Sequence, residues 1–128
     1  MNREEKFVLY FTVLNRWMNL KNCDVRLSEC LLIKGKSVAV YGIGELGKRL
    51  LEEFILENVE VKYAVDKHAK ILFADLDLYT LEERLPNVDV VVVTPIAEFT
   101  EIKKELSKRM DCMIVSLEEI INSLWDAV

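Results

Sequence analysis

The sequence predicts an α/β fold, a single doubly wound parallel sheet of about five strands in the order 3-2-1-4-5, preceded by an extra N-terminal helix. Three observations carry this. "SVAVY" (37–41) and "VDVVVVT" (88–94) are short β-branched runs without polar alternation, as in strands buried on both faces. The segments that follow them place apolar residues at steps of three and four, which is helical spacing. Between the first run and its helix lies a turn with three glycines in six residues, Gly42 to Gly47. Strands alternating with helices require right-handed crossovers and a parallel sheet covered on both sides.

The elements follow in order. Phe7, Tyr10, Phe11, Leu14, Trp17 and Met18 describe an amphipathic helix of roughly four to five turns that ends before "KNCD". A short apolar patch from Cys30 to Ile33 and a turn at Gly35-Lys36 separate it from the first strand, so residues 1–34 read as a helical extension and 35–128 as the nucleotide-fold domain. After the glycines, Leu46, Leu50, Leu51 and Phe54 line one side of a helix that stops near Asn58, a residue tolerant of the left-handed conformation. "VEVKYAV" is the second strand and ends at Asp66; "DKHAK" is a polar loop, and "ILFADLDLY" holds the third strand. Thr80 and Glu83 have the spacing of a capping box, predicting a short helix that Pro86 closes. The run 88–94 is strand four, and Phe99, Ile102, Leu106 and Met110 define its helix. "CMIV" is strand five, with Cys112 at its start, and Ser116 with Glu119 caps a closing helix carrying Ile120, Ile121, Leu124 and Trp125.

Composition bounds the function. A chain of 128 residues supports one core, and 52% apolar with 30% charged residues is globular. A formal charge of -5, with basic and acidic residues interleaved, excludes a nucleic-acid partner. Three cysteines without C-x-x-C spacing and a single histidine, His68, indicate neither a disulfide framework nor a metal site. The uncharged run from Phe7 to Leu14 is too short to span a membrane, and a cytoplasmic protein is expected.

The glycine turn is the candidate site. Gly42-Ile43-Gly44-Glu45-Leu46-Gly47 matches G-x-G-x-x-G after a strand and before a helix, and Asp66 lies nineteen residues beyond Gly47 at the tip of strand two. That is the pattern of a dinucleotide cradle. Gly42 permits the turn, Gly44 admits a pyrophosphate to the backbone, Gly47 brings helix and strand together, and Asp66 accepts from a ribose hydroxyl. The same glycines would also serve a strand-to-helix corner that binds nothing. With strand order 3-2-1-4-5 the crevice opens between strands one and four, adding Asp66, Lys67, Thr94 and Pro95 to its walls. Thr94-Pro95 also reads as the cap and first position of the following helix. NAD is the expected cofactor, because Asp66 disfavours a 2'-phosphate; NADP is the alternative that Lys67 would favour, and a UDP-sugar is another.

The stretch "VAVYGIGELGKRLLEEF", with "VKYAVDK", "VDVVVVTP" and "MIVSLEEII", resembles small bacterial Rossmann proteins of the nucleoside-diphosphate-sugar epimerase-like kind over about residues 36–126. Its Y-G-x-G-E-x-G-(K/R)-x-L element is also similar to the amino-terminal nucleotide-binding domain of membrane-bound sugar-nucleotide dehydratases of surface-polysaccharide synthesis. The resemblance implies an NAD-like or sugar-nucleotide ligand and a link to sugar-nucleotide metabolism. It also implies what is missing, since such epimerases use a T-G-x-x-G-x-x-G turn and a Tyr-x-x-x-Lys pair on a helix. Tyr63 and Lys67 have that spacing, but at a strand end. No catalytic residue is therefore expected, and His68 reads as a solvated loop residue. The chain is read as a nucleotide-binding module; the alternative is a small epimerase or oxidoreductase whose site is completed by oligomerisation. The aromatic stripe of the N-terminal helix suggests a homodimer through that helix.

Overall fold

The computed structural model describes residues 1–67 and 76–128. His68 and the two residues after it in the "DKHAK" loop, and the start of the expected third strand (71–75), lie outside the described residues.

Among the described residues five parallel strands form one sheet: β1 (Val38–Tyr41), β2 (Val61–Val65), β3 (Leu78–Tyr79), β4 (Val90–Val93) and β5 (Met113–Ser116). Their order is β3-β2-β1-β4-β5, as the sequence predicts. The central strand β1 and its neighbour β4 run in uninterrupted register, Val38 opposite Val90 through to Tyr41 opposite Val93. Every side chain of these two strands is buried, which is why neither run shows polar alternation.

Among the described residues there are four α-helices: α1 (Arg3–Asn22), which packs mainly on α4, and α2 (Glu45–Leu56), α3 (Phe99–Ser107) and α4 (Leu117–Ala127). Val38 and Val40 of β1 with Val90 and Val92 of β4 share one core with Leu50 and Phe54 of α2 and Ile120 and Ile121 of α4. Ala39, Tyr41, Val91 and Val93 point to the other core, against Leu106 of α3. The α2 stop is as expected, with Asn58 at φ 59°. The reciprocal box at α4 is formed: Ser116 Oγ accepts from Glu119 N at 3.0 Å, and Glu119 Oε1 accepts from Ser116 N at 3.4 Å.

Three expectations are corrected. The predicted helix over "TLEERLP" is a turn followed by irregular chain. Glu83 does return to Thr80 N (2.9 Å), but the segment is too short to repay helix nucleation. Its carbonyls are claimed from outside instead: Leu81 O accepts from Arg109 Nε (2.8 Å) and Pro86 O from the Tyr63 hydroxyl (2.7 Å). Cys112 precedes β5 and does not begin it; it is half-buried, and burial followed by the neighbouring Asp111 raises its thiol pKa. The apolar stripe of α1 divides. Trp17 is buried, with Val13 and Leu20, in the same core as α2 and α4, whereas Phe7, Phe11, Leu14 and Met18 are exposed.

The N-terminal segment is thus part of the shared core. Glu57, at the end of α2, reinforces the junction by accepting from Leu27 N (3.1 Å) and Ser28 N (2.7 Å). Trp17→Ala is expected to cost about 3–5 kcal/mol, whereas Ser116→Ala, which removes one cap, should cost about 1 kcal/mol. Denaturant midpoints at unchanged m-value check both.

Candidate functional site

The strand-to-helix corner explains two of its three glycines. Gly42 continues the β1–β2 ladder by donating to Val65 O at 2.8 Å, then turns with φ 94°. A Cβ there would be strained and would meet Thr94 Oγ1 and Pro95 Cδ at 2.7 Å. At Gly47 a Cβ would collide with the Gly42 carbonyl, so α2 can approach β1 only with glycine at that position.

Gly44 differs. It is the N-cap of α2 in an extended conformation (φ -82°, ψ -158°) that any residue adopts, and a Cβ on it would meet no protein atom within 4 Å. Serine or aspartate would cap the helix better. Packing therefore gives no reason for glycine at this position, whose open side faces a cavity of about 340 Å³ walled by Tyr10, Leu14, Leu46 and Pro95. The first-turn N–H groups of α2, which lack intrahelical acceptors, lie at this mouth. Glu45 is exposed on that turn, where it complements the helix dipole.

A second cleft, of about 420 Å³, lies on the α3 side of the same turn and includes Tyr41, Gly42, Asp66, Lys67 and Ile102 in its walls. Asp66 Oδ2 accepts from Ile43 N at 2.8 Å, tying the tip of β2 to the loop backbone. Lys67 is exposed in the turn after β2. Glu98, Glu101 and Glu105 stand on the α3 side of the cleft. Each has a lysine nearby, Lys6 (3.3 Å), Lys104 (3.9 Å) and Lys108 (3.2 Å), in exposed pairs that only weakly offset their charge.

Thr94 has a different task from the one expected. Its side chain is buried, and its hydroxyl lies 3.0 Å from both the Tyr41 and Gly42 carbonyls, so it pins the corner to β4. It caps no helix: the short 3-10 turn Ile96–Glu98 has Pro95 as its N-cap and no side-chain cap bond. Tyr63 is buried on its hydrogen bond to Pro86, and burial pushes its phenol up to about 12, so it forms no acid-base pair with Lys67.

Two tyrosines join the site that the sequence reading assigned to packing. Tyr41 ends β1 on the wall of the larger cleft, and burial, with Asp66 and Glu82, raises its pKa, so it is a neutral hydrogen-bonding group. Tyr10 reaches from α1 to the cavity beside Gly44, its oxygen 3.5 Å from Ala97 N. The sequence signal for Tyr41 is its place directly before Gly42, at the head of the Y-G-x-G-E-x-G element; Tyr10 has none, because α1 meets the turn only in three dimensions.

The glycines should separate on substitution. Gly47→Ala is expected to cost about 1–3 kcal/mol or more through overpacking, and Gly44→Ser to leave stability within about 0.5 kcal/mol of wild type. Thermal unfolding of the two variants measures the difference.

No protein-family model, curated protein or solved structure matches this chain.

Proposed function

We propose that the chain is a nucleotide-binding module that takes NAD or a sugar nucleotide across the turn 42–47, and that it does not catalyse a reaction alone. The observation that carries the reading is Gly44: the fold accounts for Gly42 and Gly47 but not for a third glycine, and a phosphate lying against the backbone does. A pyrophosphate would sit over the first-turn N–H groups of α2. The ribose and base would occupy the cleft beside Asp66, where the volume suits a nucleoside. The carboxylates of Glu98, Glu101 and Glu105 around that cleft favour the uncharged ribose of NAD over a 2'-phosphate. The likeness of the turn to epimerase-like Rossmann proteins supports a place in sugar-nucleotide or surface-polysaccharide metabolism. The three free cysteines suit a reducing compartment, in keeping with a cytoplasmic protein.

Calorimetry with NAD, NADP and UDP-sugars tests the reading. Gly44→Val should fold and lose binding, because its side chain occupies the phosphate position. Asp66→Asn keeps an acceptor for Ile43 N while losing the charge, and should weaken NAD by about 1.5–3 kcal/mol, or roughly ten- to a hundredfold. Asp66→Ala should lose more, since the loop N–H is also left unpaired. Both variants should shift preference toward NADP. No heat with any of the three ligands in the wild type would leave the glycines as a corner only.

A further inference from the structure

The exposed apolar side chains of α1 are not scattered. Phe7, Phe11, Leu14 and Met18 are spaced four, three and four residues apart, the spacing of a coiled-coil seam, and are 71%, 61%, 42% and 63% exposed. This stripe lies roughly a third of a turn around the helix from the buried Val13, Trp17 and Leu20. The Phe7 and Phe11 rings are stacked, with centroids 6.2 Å apart, and present one apolar surface. Alongside the other end of the stripe runs a groove of about 450 Å³ between α1 and α2, with Leu14, Trp17, Met18 and Leu56 as its apolar lining and Lys21, Arg49, Glu52 and Glu53 as its charged lining.

We infer that this face is the interface of a twofold homodimer in which α1 packs antiparallel against α1 of a second copy. The stripe is complementary to itself in that direction and in one register. Phe11 meets Leu14 of the other copy, and Phe7 meets Met18, its ring entering the groove between α1 and α2. The same register places Glu4, one step before the stripe, against Lys21, one step after it. Lys21 is held at that end of the helix by Glu53, 3.2 Å away. A parallel pairing would set Glu4 against Glu4 and Lys21 against Lys21, and would align the two helix dipoles unfavourably.

The area is sufficient. With aromatic side chains at roughly 150–250 Å² each, the stripe with Val8 presents on the order of 500 Å² per subunit. Two copies would then bury about 1,000 Å² before the groove and its rim are counted, which meets the minimum of roughly 1,000 Å² for a biological interface. An isologous contact of this kind closes on itself and leaves no seam for further addition.

The inference is independent of the nucleotide reading, because its test reads mass and no ligand is present. Sedimentation of the full chain should give twice the chain mass at micromolar concentration. Phe11→Glu and Met18→Glu, at exposed positions, should each retain helical circular dichroism and sediment as monomers, while Leu31→Glu, at an 82% exposed position away from α1, should remain dimeric. Leu14→Lys alone should also be monomeric, but mixed with Phe11→Glu it should form a heterodimer, because the two charges meet across the predicted register. A monomeric wild type, or a dimer that survives both glutamate substitutions, would overturn the interface. Failure of the mixed pair to associate would overturn the antiparallel register.

Discussion

The contact on which the rest of the structure depends is the close approach of Gly47 to the carbonyl of Gly42. It lets α2 leave β1 within a few residues, and a single added methyl group at Gly47 would be driven into that carbonyl. Thr94 locks the same carbonyl, together with that of Tyr41, to the end of β4. The corner therefore joins three elements at one point. Because β1 is the central strand, flanked by β2 and β4, the positions of the α2 N-terminus, the tip of β2 and both cavities beside the turn follow from it.

That rigidity gives the site its character. Asp66 is oriented by the loop N–H of Ile43, so the acidic side chain and the glycine turn form one preorganised unit. The open position is Gly44, set between a wall contributed by α1 and the end of β4. The cleft on the α3 side of the turn carries more carboxylates than amines among its lining groups, so its local field is negative.

Helix α1 serves two surfaces at once. One face completes the core shared by α2 and α4, assisted by Arg16, which lies 5.6 Å from the Trp125 ring centroid and donates to Asn122 Oδ1 at 2.8 Å. Between that face and the exposed stripe stands Tyr10, which with Leu14 of the stripe forms the wall beside Gly44. A helix with two apolar faces has little net amphipathicity, so its residues read as one broad stripe although they divide between interior and surface.

The amino-acid sequence by itself determined the order and kind of most elements, because buried parallel strands and the helices behind them have periods set by local geometry. The G-x-G-x-x-G turn, the αL stop at Asn58 and the capping box at Ser116 were legible for the same reason, since each is specified within a few residues. Tertiary structure alone decided the rest. Residues 80–86 carry a local helix signal, yet they lie in a turn and irregular chain, too short to repay helix nucleation, with Arg109 and Tyr63 bonding the Leu81 and Pro86 carbonyls. Thr94 resembles a cap in sequence but bonds the backbone of a strand more than fifty residues earlier. Which of the three glycines packing requires, and which faces open space, depends on atoms that only the folded chain brings together. The same holds for the division of α1, since period alone states that a face is apolar and long-range packing states which face is covered.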